Sequence, residues 1–357
     1  MRFSLPSFRS PLAPALAGLA LSVSPLAVSM AHAEPSVVTS IKPVHSLVAA
    51  VMKGVGEPKL LVDGASSPHG YQMKPSQAGE LQNADVVFWV GPELESFLVK
   101  PVETIAGSAQ SVPLIDAAGV TKLEPREGGT FEHHDHHHEG EDHDANGGEE
   151  HAHSEHADDA HEHEHEEAHK HEHEEAHEDG HEHEEIDPHV WLDPENAKAF
   201  VEKIVTVLSA ADPANAASYA ANGQEEDEKL DALIEEVNQT LDPVRDRSFI
   251  VFHDAYHYFE NRFGMEAAGS ITINPELRPG AERIGEIQTK LKSLKAACVF
   301  AEPQFEPKIV SVAIEGSDAH AGTLDPIGAD LTPGPDLYPT LIKNLAKSMS
   351  DCLSEKS

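Results

Sequence analysis

One stretch of the chain, from Glu132 to Glu185, has a composition that excludes a folded core. Between Phe131 and Ile186 the sequence places 18 of its 25 histidines, 23 acidic residues and one basic residue, Lys170. No large aliphatic side chain lies between those two ends, so burial of apolar surface cannot offset the entropy of ordering the segment. We therefore expect a disordered loop at 131–186, inserted into a chain that folds around it.

The composition of this loop also indicates what it binds. Neutral imidazole is the commonest protein ligand for zinc, copper and nickel, and carboxylates add oxygen ligands beside it. The alternating tract from His161 to His165 does not predict a strand, because neither of its faces is apolar. An acidic solubility spacer is the alternative, but spacers are usually rich in Glu, Lys, Ser and Pro rather than in histidine. The composition favours a metal-collecting loop.

The first 33 residues have the pattern of an export signal. Arg2 and Arg9 precede a long uncharged stretch rich in Leu and Ala, which ends in the small-x-small sequence from Ala31 to Ala33. An uncleaved membrane anchor is the alternative, although prolines interrupt the apolar run. We expect cleavage after Ala33, with Glu34 as the first mature residue, and export to the periplasm.

Export agrees with the cysteine content. The chain has only Cys298 and Cys352, which allow one pairing in a compartment that permits disulfides. Cys298 begins an apolar run typical of a buried strand, whereas Cys352 ends a helical C-terminal segment. A bridge would join that helix to the core, and two unpaired buried thiols are the alternative. A zinc–cysteine site is not expected, because the sequence has no CxxC.

The charge of the chain excludes one large class of partner. The formal net charge is −38, and the stretch from Phe131 to Ile186 contributes −22 of it. Nucleic-acid binding depends on basic patches, so this balance argues against nucleic acid and agrees with the capture of cations.

Outside the loop, the sequence alternates strands and helices. Short apolar runs typical of buried strands precede helical stretches on both sides of the loop, which predicts α/β architecture with parallel sheets. The predicted strands are Val37–Ile41, Lys59–Val62, Ala84–Val90, Phe249–Phe252 and Cys298–Ala301. The predicted helical stretches are Val44–Val51, Ala255–Phe263 and Glu282–Ala296.

A longer helical pattern lies between the two groups of strands. From Pro213 to Leu241 the only glycine is Gly223, and apolar residues recur at the spacing of one helical face. These residues are Leu230, Leu233, Ile234, Val237 and Leu241. The pattern predicts a helix that joins an N-terminal lobe to a C-terminal lobe, or an ordinary packed helix within one domain.

Three histidines lie apart from the loop, each in a turn-like segment beside a predicted strand or helix. His69 follows Pro68, His189 lies between Pro188 and Val190, and His253 follows the strand that ends at Phe252. In α/β sheets, ligands bind beyond the carboxyl ends of the strands, where such turns lie. One such histidine is usually a structural hydrogen bonder, but three in an exported chain with a metal-collecting loop indicate a site.

Six stretches of the sequence together form a specific pattern. They are SPHGYQMKPS at 67–76, NADVVFWVGPELE at 83–95, DPHVWLDP at 187–194, FHDAYHYFENRFG at 252–264, CVFAEPQF at 298–305 and GTLDPIG at 322–328. With these stretches the chain resembles a known family, the ZnuA-type zinc-binding solute receptors of bacterial ABC importers. The resemblance covers essentially the whole mature chain, and the His-rich insertion before DPHVWLDP adds to it.

The resemblance implies a fold and a set of ligands. It implies two α/β lobes with central sheets flanked by helices, joined by one long linking helix, with the metal in the cleft between the lobes. It places the zinc ligands at His69, His189 and His253. Asp325 occupies the position of a carboxylate ligand in related manganese receptors and is a candidate fourth ligand. Some members have Glu where this chain has Pro68, so water or a loop histidine are alternatives to Asp325.

The resemblance also implies partners and domain bounds. The partners are the zinc ion and an ABC permease in the inner membrane with its cytoplasmic ATPase, and we expect a monomer. The expected domains are the signal peptide at 1–33, an N-terminal lobe at 34–211, a linking helix at 212–242 and a C-terminal lobe at 243–357.

The residues themselves indicate a metal preference and leave two other functions as alternatives. Three imidazoles with at most one oxygen suit tetrahedral zinc, manganese prefers more oxygen ligands, and affinity alone does not exclude copper. A zinc hydrolase is an alternative because His253 and His257 lie four residues apart, but HDAYH has Asp where HExxH has its catalytic Glu. A simple metal buffer is the third alternative, although it leaves the folded scaffold unexplained.

Overall fold

The computed structural model describes residues 34–126, 186–272, 274–306 and 308–355, together with Met1 and Phe131. The predicted signal peptide and most of the predicted histidine-rich loop lie outside the described residues. Among the helices that are described, none combines the length and the apolar content needed to cross a membrane.

The N-terminal lobe is built on a parallel four-stranded sheet. Its strands are β1 (Val37–Ile41), β2 (Lys59–Val62), β3 (Val86–Trp89) and β4 (Gln110–Pro113), in the order β2-β1-β3-β4. The connecting helices are α1 (Lys42–Val51), α2 (Pro75–Gln82) and α3 (Ser96–Thr104). Every residue of the central strands β1 and β3 is buried, as expected for strands covered on both faces.

The C-terminal lobe repeats this plan with a second parallel sheet. Its strands are β5 (Phe249–His253), β6 (Ala267–Thr272), β7 (Cys298–Ala301) and β8 (His320–Thr323), in the order β6-β5-β7-β8. The helices of this lobe are α6 (His257–Phe263), α7 (Ala281–Leu294), α8 (Lys308–Ala313) and α9 (Leu337–Ser354). The predicted α/β architecture with two parallel sheets is therefore confirmed.

Two antiparallel helices connect the lobes in sequence, α4 (Pro194–Ala211) and the 26-residue α5 (Ala216–Leu241). Four of the five predicted apolar positions of α5 are buried, and Ile234 is half-buried. A glycine inside a helix costs about 1 kcal/mol relative to alanine. Gly223 is explained by packing, because a Cβ at this position would lie 2.5 Å from Val205 Cγ2 of α4.

The disulfide predicted from the cysteine content is present. Cys298, the first residue of β7, is bonded to Cys352 near the end of α9, with the two Cα atoms 6.2 Å apart. The last helix, which also packs against α5 and α1, is thereby tied to the core of the second sheet.

Lys42, at the start of α1, joins the two lobes through a buried ammonium group. Its Nζ donates hydrogen bonds to the carbonyl oxygens of Gly328, Ala329 and Leu331, at 3.0, 2.8 and 3.0 Å. These carbonyls belong to the segment between β8 and α9, so the contact crosses from the N-terminal lobe to the C-terminal lobe. Buried charges persist in proteins when they are fully hydrogen-bonded in this way.

Candidate metal centre

The structure brings the three predicted histidines together between the two sheets. His69 lies in the connection between β2 and α2, and His189 lies in a turn that leads through a 3₁₀ segment, Val190–Leu192, into α4. His253 is the last residue of β5, at the carboxyl end of that strand. Within the described residues, these three form the one group of His, Cys, Asp or Glu side chains spaced to hold a metal ion.

The spacing of the ring nitrogens matches a tetrahedral zinc site. Nε2 of His189 lies 3.1 Å from Nε2 of His69 and 3.4 Å from Nε2 of His253. Zinc–nitrogen bonds of 2.0–2.1 Å place two nitrogens about 3.3–3.4 Å apart at the corners of a tetrahedron. The three side chains therefore offer nitrogens near the separation that zinc requires.

Asp187 orients His189 from two residues upstream. One carboxylate oxygen, Oδ1, accepts hydrogen bonds from the backbone N–H of His189 at 3.0 Å and from its ring Nδ1–H at 2.7 Å. This leaves the lone pair of His189 on Nε2, which faces the other histidines. Burial raises the pKa of Asp187, but its contacts with His189 and His257 outweigh burial and keep the pKa below its usual range.

Glu302 orients His253 in the same way from the neighbouring strand. The ring Nδ1–H of His253 donates to Oε1 of Glu302 at 2.7 Å, and both side chains are buried. Burial lowers the pKa of His253, but the attraction and hydrogen bond of Glu302 outweigh burial and raise it. A carboxylate that accepts from the outer nitrogen fixes the tautomer and strengthens the inner nitrogen as a ligand.

His69 differs from the other two because the described residues give it no carboxylate partner. Burial, together with the nearby rings of His189 and His253, lowers the pKa of His69 to about 2. A neutral imidazole keeps a free lone pair, which is the form that binds a metal.

Two residues singled out in the sequence lie outside this group. Asp325 uses both carboxylate oxygens to cap the turn that follows it, accepting from the backbone N–H groups of Ile327, Gly328 and Ala329. His257 opens α6, whereas His253 ends β5, so the two histidines of HDAYH do not share a helical face. Asp325 as a ligand stays a prediction.

A salt-bridge network borders the site where the chain leaves the N-terminal lobe. Arg126 contacts the carboxylates of Asp254 and Glu260, which belong to the C-terminal lobe. Burial lowers the pKa of Arg126, but these two carboxylates outweigh burial and raise it above its usual range. Asp254 is thus an ion-pair partner of Arg126 across the lobes.

Comparison with known proteins decides the family. Residues 37–352 match the family model ZnuA, described as the periplasmic component A of a zinc-uptake complex. The chain belongs to this family. The ZnuA family is one of solute-binding components, so the hydrolase alternative is not supported.

Similar proteins align with this chain over nearly its full length. The high-affinity zinc uptake system protein ZnuA of Brucella suis is 57% identical over 327 residues, which cover 92% of this chain and 94% of that protein. The protein of the same name from Paracoccus denitrificans is 41% identical, covering 89% and 92%. The periplasmic zinc-binding protein TroA from Treponema pallidum shares the fold, with a TM-score of 0.68 and 20% identity over 90% of this chain and all of that chain.

Membership of the ZnuA family makes this chain the periplasmic component of a zinc ABC transporter, which implies a permease and an ATPase as partners. Sequence reasoning found the three histidines but missed Asp187 and Glu302. A signal for each was present, since Asp187 lies two residues before His189 and Glu302 directly follows the strand that neighbours β5.

Proposed function

We propose that this protein captures Zn²⁺ in the periplasm with His69, His189 and His253 and delivers it to an inner-membrane ABC permease, whose ATPase drives import. The observation that carries the assignment of the ligands is the spacing of the three ring nitrogens, two of them braced by carboxylates. Zinc is the cargo of the protein, and the residues bind and shield it without changing it chemically.

The arrangement suits zinc because three neutral nitrogens form the inner set. Manganese and calcium prefer oxygen ligands, so a set of three imidazole nitrogens favours zinc over either of them. Trp191 supports the set, because its ring packs against His189 at 5.4 Å and its Nε1–H donates to the carbonyl oxygen of Pro326 in the other lobe. The zinc ligands are thereby held by both lobes.

The ligand assignment is tested by single substitutions in the mature protein. His69→Ala, His189→Ala and His253→Ala should each weaken zinc binding by orders of magnitude in competition with a chelator of known affinity. His320→Ala is the matched control, because this histidine lies on β8 and pairs with Glu355 instead of with the site. Unchanged high-affinity binding in His253→Ala would contradict the assignment.

Delivery to a permease is tested in a bacterial strain that lacks its own periplasmic zinc receptor. The wild-type gene should restore growth in the presence of a zinc chelator, and the His253→Ala gene should not. A wild-type protein that binds zinc tightly but never restores growth would favour the simple metal buffer.

Three further features of the chain belong to this proposal. We expect a monomer in solution, which sedimentation analysis would measure. N-terminal sequencing of the exported protein should begin at Glu34. The domain bounds at 211–212 and 242–243 agree with the positions of α4 and α5, and limited proteolysis would test them.

A further inference from the structure

Two cavities of very different size adjoin the three histidines. The smaller, of about 10 Å³, is lined partly by apolar side chains that include Trp191, Phe305 and Ile327. The larger, of about 410 Å³, is lined by polar residues from both lobes. A zinc ion held by three nitrogens has a fourth position, and the larger cavity offers ample room for a side-chain ligand there.

Most of the charged groups that line the larger cavity are already paired. Arg126 is paired with Asp254 and with Glu260 outside the cavity. Asp187 accepts from His189 and lies 3.6 Å from His257. A metal that recruited either Asp254 or Asp187 would leave a partly buried cation or a ligand histidine without its partner.

Glu276 is the exception among these charged groups. It lines the larger cavity together with all three histidines, and its carboxylate has no ion-pair or hydrogen-bond partner within the part of the chain that the structure describes. Its only recorded polar contact there is through the backbone, whose N–H donates to Oδ1 of Asn274 at 2.9 Å. The side chain is exposed and has no contact to give up when it turns.

The Glu276 carboxylate already lies beside the first histidine. A Cβ built on Gly70, the residue after His69, would come within 2.9 Å of both Cδ and Oε2 of Glu276. The side chain thus reaches from the C-terminal lobe across the cavity to the turn that holds His69.

We propose that Glu276 supplies the fourth, oxygen ligand to the zinc ion held by His69, His189 and His253. The inference rests on the proposed function, since it concerns the same ion. Asp325 already accepts from three backbone N–H groups and from the side chain of Gln304, and it does not line the larger cavity. Glu276 breaks no contact, and its negative charge offsets part of the charge of the ion.

The test compares Glu276→Gln and Glu276→Ala with Glu306→Gln in the full mature chain. Glu306 is an exposed glutamate nearby that pairs with Arg278 and does not line the larger cavity. Its substitution therefore removes the same charge without removing the proposed ligand. Zinc dissociation constants come from chelator competition, and the visible absorption spectrum of the Co²⁺-loaded protein reports a change of ligand directly.

We expect both Glu276 variants to raise the dissociation constant on the order of 10-fold to 100-fold, the range seen when a metal site loses a supporting contact. Their Co²⁺ spectra should differ from the wild-type spectrum, while Glu306→Gln should match the wild type in both measurements. Unfolding curves of the metal-free variants check that the fold is retained.

A dissociation constant for both Glu276 variants within twofold of wild type would overturn the proposal, as would an unchanged Co²⁺ spectrum. An equal loss in Glu306→Gln would also overturn it, because the effect would then be one of charge at a distance. The His253→Ala result distinguishes a failure of the Glu276 assignment from a failure of the proposed function. If that variant loses zinc and the Glu276 variants do not, only the assignment of Glu276 fails, whereas tight binding in His253→Ala removes the site itself.

Discussion

His253 and Glu302 are 49 residues apart in sequence and are joined by a 2.7 Å hydrogen bond between ring Nδ1 and carboxylate Oε1. The contact follows from the sheet, because His253 ends β5 and Glu302 comes directly after its parallel neighbour β7. The carboxyl ends of two adjacent strands thus place a ligand and the group that orients it side by side.

The first prediction concerns this pair. Glu302→Gln keeps the volume and one acceptor oxygen but removes the charge that strengthens His253 as a ligand. Zinc affinity should fall on the order of 10-fold, as is typical for partners that orient ligand histidines. Chelator competition measures the change, and Glu306→Gln serves again as the control. Affinity equal to wild type in Glu302→Gln would show that the hydrogen bond has no influence on the metal.

A second prediction concerns Glu95, a buried carboxylate in the N-terminal lobe. Burial raises the pKa of Glu95 to about 7, although the backbone N–H groups of Val90 and Gly91 donate to it. The folded protein therefore holds the carboxyl proton of Glu95 more tightly than the unfolded chain does. The resulting stabilisation is full below about pH 4.5, the ordinary pKa of the group, and is lost as the pH rises to about 7.

The stabilisation that Glu95 loses over this pH range is on the order of 3 kcal/mol, because one unit of pKa corresponds to about 1.4 kcal/mol. Urea unfolding of the metal-free protein between pH 5 and 8 measures it. The free energy of unfolding of the wild type should fall relative to that of Glu95→Gln as the pH rises. A difference that does not vary with pH would contradict the raised pKa.

The third prediction concerns the Cys298–Cys352 disulfide. The bond closes a loop of about 55 residues, for which chain entropy predicts a stabilisation of roughly 4 kcal/mol. The double substitution Cys298→Ser with Cys352→Ser should lower the free energy of unfolding by up to this amount. Cys298 lies at the opposite end of β7 from Glu302, so zinc affinity below the unfolding temperature should stay within about twofold of wild type. A large loss of affinity would show that the bond shapes the metal site.

A fourth prediction concerns the histidine-rich insertion, whose residues lie outside those that the structure describes. The chain on its two sides is paired, because the backbone N–H of Asp187 donates to the carbonyl oxygen of Leu123 at 2.9 Å. Tyr258 reinforces the junction by accepting from Leu123 N–H and donating to the Asp187 carbonyl. Deletion of 132–185 should therefore leave the fold intact.

Calorimetry of the protein that lacks 132–185 should detect a single tight zinc site. The several weak sites should be absent. The weak sites should fade as the pH falls toward 6, since protons compete with zinc for exposed imidazoles. Loss of the tight site on deletion would mean that the insertion supplies a primary ligand, in conflict with the role proposed for Glu276.

The central strands were predictable from sequence because burial on both faces leaves a continuous apolar run. The central strands Val37–Ile41 and Cys298–Ala301 were predicted with the bounds that the structure shows, and so was the edge strand Lys59–Val62. The edge strands β4, β6 and β8 were not predicted, because β4 and β8 are largely exposed and β6 consists mainly of small residues. Gln110 and Ser111 are exposed in β4, and His320–Thr323 has no fully buried residue.

The site was predictable in part for a similar reason. His69, His189 and His253 stand out because each lies in a turn-like segment beside a predicted strand or helix, and the family resemblance connects them. Glu276 had no such signal, since an exposed glutamate between two prolines reads as ordinary loop sequence. Its place beside Gly70 depends on how the two lobes pack, which no local pattern encodes.

The nitrogen spacing has a consequence for the rate of zinc uptake and release. Because two of the three separations between ring nitrogens already match those of a loaded site, we expect association not to require a large closure of the protein. His69 follows a strand of one sheet and His253 ends a strand of the other. We therefore expect that moving the two sheets apart by an ångström or two would lengthen a zinc–nitrogen bond and speed the dissociation of zinc. No competing ligand would have to reach the ion.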